Sequence, residues 1–428
     1  MAKTAKSCSV AVMGPHLQSL LGIFVLIAIA WGLSENRRAF SWRMAGGTVL
    51  PQAGVALLLL KVPLARDALY GLNAVVTALT AATNAGTGFV FGYLGGGPAP
   101  FAVTAPLNMV NLAFSILPLV MVIAALSAIL WYWRITPAIV NAMAAVLKRT
   151  FGLGGAVGLS AAATVFLGNI EGPLVIRPHL ARLARTELFI LMTVGLSVIA
   201  GTVFVLYATI LAPKLPGALG HLLVASLMSL PGGILMARIM VPGPAETDLT
   251  PGEEGQSYRS TMDAMARGTE DGLKLYLQII AMLVVTTALV ALVNIMLAQL
   301  PAVFGAPLTL ERMLGWLFSP LVWLLGVPWS QAPLAGGLMG IKVILNELIA
   351  YLHLAALPGG ALDPRSTQIM VYAMCGFANV ASVGILIAGL TALIPQRRDE
   401  VVSLAPRALV AGVLASCLTG AMIGLLPA

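Results

Sequence analysis

Apolar runs long enough to cross a bilayer constrain this chain more than any other feature. About 20 apolar residues in a helix span the hydrocarbon core, and runs of this kind lie near residues 17–33, 44–63, 109–132, 187–211, 221–241, 272–297, 369–394 and 406–427. Only 9% of the 428 residues are charged, whereas soluble domains carry about a quarter. The sequence therefore predicts an all-α polytopic membrane protein with eight transmembrane helices.

The basic residues lie mainly at the ends of these runs. The net charge of +8 therefore indicates membrane topology, and nucleic acid is not an expected partner. Cytoplasmic connections are enriched in Lys and Arg, which places the connections after spans one, three, five and seven in the cytoplasm and both termini outside. The polar stretch 242–270 is then a cytoplasmic loop leading to a helix that enters span six.

Two further segments are apolar but interrupted by polar residues, glycine and proline. They cover about 152–186, which contains "LGNIEGPLVI", and about 330–357, which contains "KVILNELIAYL". Neither half of either segment can span a bilayer alone. Irregular backbone at membrane depth survives only inside protein or beside a water-filled cavity, so both segments are predicted to be re-entrant helical hairpins.

Each predicted hairpin is followed by two spans, which suggests a repeat. Residues 185–195 can be laid against 366–376, and residues 223–229 against 409–415. One extra span between the copies inverts the second copy, and inverted repeats with discontinuous helices are typical of secondary transporters.

The resulting division of the chain has four parts. Residues 1–133 hold scaffold helices one to three, with an interfacial helix at 64–100 that is followed by the loop "GYLGGGPAPF". Residues 134–241 hold hairpin 1 with helices four and five, and residues 242–329 hold the cytoplasmic loop, helix six and an interfacial helix. Residues 330–428 hold hairpin 2 with helices seven and eight.

Glu171 and Glu347 are the carboxylates most closely enclosed by apolar sequence. Ionisable groups at membrane depth are costly and usually functional. The alternative is that each pairs with a nearby base, Arg177 or Lys342, and only fixes a hairpin tip.

Span seven contains the polar pair Asn379 and Ser382, which share one helix face. Such a pair can bind a ligand or join helices by hydrogen bonds, and neighbouring glycines also permit a broken helix. Phe377 fits core packing equally well. The sequence has no phosphate-binding loop, no H-E-x-x-H and no G-x-S-x-G motif, and its histidines are isolated, so an enzyme is not expected.

Several motifs together resemble the concentrative nucleoside transporter family. They are "WGLSENRRAFSW", "GNIEGPLVIRP", "GVPWSQA", "KVILNELIAYL", "CGFANVASVGI" and "ALIPQRRDEV", in this order along almost the whole chain. The resemblance implies a homotrimer in a bacterial inner membrane. In each protomer, a scaffold of spans one, two, three and six would hold an elevator-type mobile unit of both hairpins and the remaining spans.

The resemblance also implies a nucleoside site. Family residues that bind ribose hydroxyls fall on Glu347, Asn379 and Ser382, and those that address the base fall on the hairpin 1 tip and span seven, at Gly168, Asn169, Ile170, Glu171 and Phe377. A carboxylate, an amide and a hydroxyl suit vicinal hydroxyl groups.

Two departures from the family pattern bear on which base the site prefers and on which ion drives transport. The family tip commonly reads Gly-Gln-Thr-Glu, whereas Asn169 and Ile170 stand here, so base preference is open. Sodium-coupled members have Asn and Ser where this chain has Thr164 and Val198, and Ser197 compensates only if the register slips by one. Protons are therefore favoured over sodium as the coupling ion, with Glu171 or Glu347 as carrier.

The expected function is an ion-coupled symporter that imports nucleosides without a cofactor. Two alternatives remain open. One is a transporter of another ribosylated or modified nucleoside-like solute, and the other is a membrane receptor on the same scaffold that does not transport.

Overall fold

The computed structural model is built from α-helices over the residues that it describes, which are 14–61, 63–103, 111–153, 155–244, 258–303 and 305–426. In chain order the helices are α1 (Pro15–Gly32), α2 (Trp42–Lys61), α3 (Pro63–Phe91), α4 (Leu119–Tyr132), α5 (Ile135–Phe151), α6 (Gly155–Leu167), α7 (Glu171–Leu174), α8 (Arg185–Ser197), α9 (Gly201–Leu211), α10 (Ala218–Met240), α11 (Thr261–Leu297), α12 (Leu310–Leu324), α13 (Ala332–Ile344), α14 (Glu347–Ala356), α15 (Pro364–Met374), α16 (Val380–Leu393) and α17 (Arg398–Leu425).

Within the described residues, every predicted span is mainly helical. Six helical stretches of the described residues are long and apolar enough to cross a membrane, namely Ala74–Gly95, Leu112–Tyr132, Arg185–Leu211, Ala218–Met240, Thr261–Leu297 and Pro395–Leu425. The apolar parts of α1, α2 and α16 are shorter. The all-helical class is confirmed, and the number of eight spans stays a prediction.

The segment 64–100 differs from its prediction. It was predicted to be an interfacial helix followed by a loop; α3 covers 29 residues, and the helical stretch Ala74–Gly95 is long and apolar enough to cross a membrane. Alanine and threonine lower the hydropathy of this segment without breaking a helix, and no proline follows Pro63 until residue 98. The expected loop begins at Gly92, which has a left-handed φ of 59°.

The cytoplasmic loop predicted at 242–270 lies partly outside the described residues, because 245–257 are not among them. Within the described part, α11 starts at Thr261 after Ser260, whose side chain caps the helix by accepting from the backbone N–H of Asp263 at 3.1 Å. α11 therefore includes the predicted helix that enters span six, and it begins within the stretch 242–270.

Both predicted hairpins have two helical arms around a short tip. In hairpin 1, the chain turns back between α6 and α7, since a Cβ added to Gly172 would lie 2.1 Å from the Thr164 hydroxyl oxygen. In hairpin 2, α13 and α14 pack against each other on either side of Leu345 and Asn346.

Two predicted spans are each broken into two helices. The chain leaves helical geometry at Val198, between α8 and α9, and again at Cys375, between α15 and α16. The second break agrees with the glycines around Asn379, while the first, in the run "LSVIAGTVF", was predicted to be continuous helix. Both halves of the molecule therefore contain a hairpin, a broken helix and a long helix.

The two halves have opposite orientations. α8 starts at Arg185, whose guanidinium donates to Glu35 just beyond the end of α1, at 2.9 Å. α15 starts beside Arg365, whose guanidinium donates to Ser19 near the beginning of α1, at 3.4 Å. Because α1 is about 27 Å long, the corresponding helices of the two halves begin at opposite ends of the molecule.

The two breaks meet at the centre of the protein. The backbone N–H of Phe377 donates to the carbonyl of Val198 at 3.2 Å. A Cβ at Gly376 would lie 2.6 Å from the carbonyl oxygen of Ser197, so only glycine permits this approach. The two unwound segments therefore satisfy part of each other's backbone hydrogen bonding.

The repeat helices form the core and α11 lies outside it. In the apolar 18-residue part of Arg185–Leu211, 89% of the residues are buried within the protein, whereas in that of Thr261–Leu297 only 6% are buried. α11 packs mainly along α4, where Gly268 and Gly272 face Met121 and Ala124 so closely that added Cβ atoms would lie within 2.7–2.9 Å of them. α4 and α11 thus form a two-helix unit beside the repeats.

Candidate functional site

A cavity of about 520 Å³ lies between the two hairpin tips, the two broken helices and α11. All eight residues that the sequence assigned to substrate binding line it: Gly168, Asn169, Ile170, Glu171, Glu347, Phe377, Asn379 and Ser382. They come from the tips of both hairpins and from the second break with the start of α16, so the fold gathers residues that are more than 200 positions apart in the chain.

Glu347 holds the central position in the polar part of the cavity. It is the first residue of α14, where the helix dipole favours a carboxylate, and only 4% of it is exposed. Its Oε1 accepts from the Tyr207 hydroxyl at 2.7 Å, and its Oε2 accepts from Asn379 Nδ2 at 3.0 Å. The described residues give it no ion pair, and Lys342 instead donates to Ser416 at 3.5 Å. Pairing with Lys342 therefore does not account for Glu347.

Asn379 is placed by the break that precedes α16. Its backbone is extended, and its Oδ1 caps α16 by accepting from the backbone N–H of Ser382 at 2.7 Å. Because the cap occupies the oxygen, the amide nitrogen faces Glu347. One side chain thus ends the break and orients the carboxylate, while Ser382, 9% exposed, lines the same cavity.

The tip of hairpin 1 is formed around Gly168. Its φ of 123° lies in the region that favours glycine, and an added Cβ would stand 2.8 Å from Glu171 Oε2. The backbone N–H of Gly168 donates to the Thr164 carbonyl at 3.0 Å. This turn leaves the Glu171 side chain exposed within the cavity, and it has no ion pair with Arg177 among the described residues.

Asn169 and Ile170, the tip residues that depart from the family pattern, contact different halves of the protein. Asn169 packs on Gly195 of α8, where a Cβ added to the glycine would lie 3.2 Å from the Asn169 Cβ. Ile170 packs on Gly389 of α16, where a Cβ added to the glycine would lie 2.8 Å from the end of the Ile170 side chain. The tip is therefore held between the two repeats, which fixes the direction in which it faces the cavity.

The three candidate cation residues do not line this cavity. Thr164 donates its hydroxyl to the Ser160 carbonyl at 2.7 Å. Ser197 donates to the Val194 carbonyl at 3.2 Å and lies 3.3 Å from the Ser229 carbonyl. Val198 is fully buried. Within the described part of the chain, no group of three or more His, Cys, Asp and Glu residues could hold a metal ion.

Four lining residues with polar side chains were not predicted: Thr202, Tyr207, Gln278 and Asn346. Asn346 caps α14 by accepting from the backbone N–H of Ile349 at 2.9 Å, and its place one residue before Glu347 was a usable signal. Tyr207 and Gln278 lie inside apolar helices, where one aromatic or amide residue carries no such signal.

A second cavity, of about 380 Å³, adjoins the first along α11. The two share Leu167, Glu171, Thr202, Leu275 and Gln278, and the second extends to Asp271 and Lys274. The central cavity therefore continues toward the Thr261 end of α11, with Glu171 between the two spaces.

Comparison with known proteins agrees with this architecture. Family models described as "Na+ dependent nucleoside transporter" match residues 21–94 for the N-terminus and 221–424 for the C-terminus, and one described as "Nucleoside recognition" matches 113–214. An uncharacterized transporter of Haemophilus influenzae is 37% identical, covering 96% of this chain and 97% of that protein. The nucleoside permease NupC of Helicobacter pylori is 35% identical, with coverages of 96% and 97%.

A solved structure shows the same fold. CNTnw in an inward-facing substrate-bound state is 35% identical, with a TM-score of 0.86, covering 96% of this chain and 98% of that one. These relatives are transporters, in agreement with the expectation that the chain is not an enzyme. The sequence motifs, the hairpins and the matches over nearly the full length agree, and this multi-pass membrane protein belongs to the concentrative nucleoside transporter family.

Proposed function

We propose that this protein is a symporter that imports nucleosides across the bacterial inner membrane, driven by an ion gradient. The observation that carries the proposal is the convergence of all eight assigned residues on one cavity around the Glu347–Asn379 pair. A cavity of about 520 Å³ falls within the usual range for small-molecule sites.

In this proposal, the second repeat binds ribose. The Glu347 carboxylate can accept from ribose hydroxyls, because it has about four acceptor sites and its side-chain donors, Tyr207 and Asn379, take one on each oxygen. Ser382 can donate or accept beside them. The ring of Phe377 and the tip residues Asn169 and Glu171 then surround the base, which is a flat group suited to aromatic contact.

We further propose that protons drive uptake in preference to sodium. Val198 has no side-chain oxygen, and Ser197 directs its hydroxyl to backbone carbonyls and packs against Gly233 of α10. Thr164 likewise donates its hydroxyl to the Ser160 carbonyl, so the three positions offer at most two side-chain oxygens, whereas a hard cation prefers several oxygen ligands. Glu171, exposed between the two cavities, and Glu347, inside the site, are the candidate proton carriers.

The proposed movement is an elevator in a homotrimer. Both hairpins and spans four, five, seven and eight form the moving unit, and spans one, two, three and six form the scaffold. The exposed position of α11 and its close packing with α4 support a fixed element beside the buried repeats. Leu275 and Gln278 of α11 form one wall of the cavity, so the substrate would move past them.

A modified nucleoside is the alternative substrate that one observation favours. Ile170 packs its apolar side chain on Gly389 and offers no hydroxyl at a tip position where the family commonly has threonine. A base group that depends on that hydroxyl loses a partner, which costs about 1–3 kcal/mol if the group stays buried.

The test is uptake of labelled uridine and adenosine into proteoliposomes, with proton and sodium gradients imposed separately at a fixed membrane potential. Accumulation with the proton gradient alone is the expected result. Collapse of uptake on removal of sodium at fixed pH and voltage contradicts proton coupling. Binding without counterflow indicates a receptor, and no binding or uptake of either nucleoside by folded protein indicates another solute.

A further inference from the structure

The hydroxyl of Tyr207 is the donor to Glu347 that no sequence motif indicates. Tyr207 lies on α9, after the first break, and is 3% exposed, with its small accessible part in the central cavity. Its hydroxyl donates to Oε1 of Glu347 at 2.7 Å, whereas Asn379 serves only Oε2. The two oxygens of the proposed ribose-binding carboxylate are thus held from different halves of the protein.

The ring of Tyr207 is itself held in place. It packs on the ring of Tyr351 with centroids 5.3 Å apart and planes tilted by 58°. Tyr351 lies on α14, and its hydroxyl donates to the carbonyl of Val371 at 2.9 Å. Because the buried Tyr351 ring fills the space beside it, Tyr207 cannot turn away from Glu347 without moving a second aromatic ring.

This arrangement fixes which lone pairs of Glu347 are free. An ionised carboxylate has about four acceptor sites, and the side-chain donors Tyr207 and Asn379 occupy one on each oxygen, while the backbone N–H of Glu347 also donates to the carboxylate. The acceptor capacity that remains lies in the cavity, where a ligand hydroxyl can use it. Without Tyr207, Oε1 would lose its fixed partner, and the carboxylate could rotate about its last side-chain bond.

We propose that Tyr207 is a positioning residue that orients Oε1 of Glu347 toward one of the two ribose hydroxyls and so sets the discrimination between ribonucleosides and deoxynucleosides. The proposal rests on the proposed function, in which Glu347 binds ribose. It goes further by assigning one oxygen, one hydroxyl and one residue of the first repeat to sugar selectivity.

The experiment compares uridine, 2′-deoxyuridine and 3′-deoxyuridine in proteoliposomes carrying wild-type protein or Tyr207→Phe. Loss of a hydrogen bond to a charged group should lower kcat/KM for uridine roughly ten- to a hundredfold. The ratio of kcat/KM for uridine to kcat/KM for a deoxynucleoside should fall by about tenfold for one of the two deoxynucleosides and stay unchanged for the other, because Tyr207 orients only one oxygen. A structural defect would lower uptake of all three substrates alike and leave both preferences unchanged.

Tyr351→Phe is the matched control, since it removes a buried hydroxyl from the adjoining ring without touching Glu347. It should leave both preferences at their wild-type values. The double variant Tyr207→Phe with Glu347→Gln should have the same preference for uridine over the deoxynucleosides as Glu347→Gln alone, because Tyr207 acts through Glu347.

The outcomes separate this inference from the proposed function. If Glu347→Gln leaves ribose discrimination intact, the sugar site itself is wrongly assigned. If Glu347→Gln abolishes discrimination but Tyr207→Phe changes neither preference, only the role of Tyr207 is overturned. A Tyr207→Phe protein that cannot be recovered folded, when Tyr351→Phe can, makes the hydroxyl a structural requirement and also overturns the positioning role.

Discussion

The two inverted halves of the molecule have the same architecture and opposite polarity. In each half, the second arm of the hairpin begins with a glutamate, Glu171 or Glu347. The residue before it is Ile170 in the first half, which cannot cap a helix, and Asn346 in the second, which does.

The breaks in the two halves differ in the same way. α9 follows Ala200, which makes no side-chain cap, whereas α16 follows Asn379, which does. Glu171 is exposed in the cavity, while Glu347 is buried with two donors. The repeat therefore supplies the shape of the site twice, while the polar contacts around Glu347 come mainly from the second half, with Tyr207 as the contribution of the first.

Substitution of either glutamate by glutamine should give the largest difference between the two halves. Glu347→Gln should lower kcat/KM for uridine by about a hundredfold or more, because two ribose hydroxyls lose a charged acceptor. Glu171→Gln should keep the discrimination between ribose and deoxyribose. Uptake by proteoliposomes measures both, with intact assembly checked by size-exclusion chromatography. Wild-type uptake by Glu347→Gln would remove this residue from the site.

The two capping asparagines give a narrower test. Asn379→Ser keeps a cap for α16 but removes the donor to Glu347, so uridine kcat/KM should fall roughly tenfold or more. Asn346→Ser also keeps a cap and has no bond to Glu347, so its kinetics should stay within about twofold of wild type. Equal losses in the two variants would contradict the assignment of the effect to the hydrogen bond between Asn379 and Glu347.

The tip of hairpin 1 offers a smaller effect on a different property. The double change Asn169→Gln and Ile170→Thr restores the groups common in the family and should alter the relative kcat/KM of uridine and adenosine by about five- to tenfold, as one hydrogen bond is gained or lost. The ratio of uridine to 2′-deoxyuridine should not change. An unchanged ranking of bases would contradict the assignment of the tip to the base.

The smallest expected effect concerns the ion cluster that joins the two halves. Glu35, in the connection between α1 and α2, accepts from Arg185 of the first half at 2.9 Å and from Arg407 of the second. The hydrogen bond and charge of Arg185, and those of Arg407, hold the pKa of Glu35 below its ordinary value of 4.5. These side chains are partly exposed, so the cluster should contribute at most about 1 kcal/mol to the free energy of unfolding.

The sign of its pH dependence follows from the lowered pKa. The contribution of the cluster to the free energy of unfolding is fully present above the pKa that Glu35 has in the unfolded chain. It is lost as the pH falls through the lower pKa that Glu35 has in the folded protein. Glu35→Gln should therefore lower the unfolding temperature at pH 7, and the difference from wild type should shrink below pH 4.5. Glu270→Gln, in an exposed pair on α11, should change nothing measurable. A difference that persists at low pH would contradict the ionic origin.

The elements that could be predicted from sequence are those where polar residues interrupt apolar runs. Glu347 and its neighbours mark hairpin 2 in this way, and Asn379 with its glycines marks the second break. The resemblance to the family added roles to these residues, and all eight assigned ones line the cavity.

The first break could not be predicted because its residues are ordinary helix and membrane residues. Val198, Ile199 and Ala200 carry no polar group, and the chain leaves helical geometry where Gly376 and Phe377, distant in sequence, approach its backbone. Tyr207 was missed for a related reason, since only the packing of α9 against α14 brings its hydroxyl to Glu347.

The hydrogen bond between the two breaks has a consequence for biosynthesis. The carbonyl of Val198 receives its partner, the N–H of Phe377, only after a further 179 residues have been synthesised. An unsatisfied carbonyl in hydrocarbon costs several kcal/mol, so the first half cannot settle into its final form alone in the bilayer. Its broken helix must remain hydrated, or continue as regular helix, until the second half emerges from the ribosome and inserts beside it.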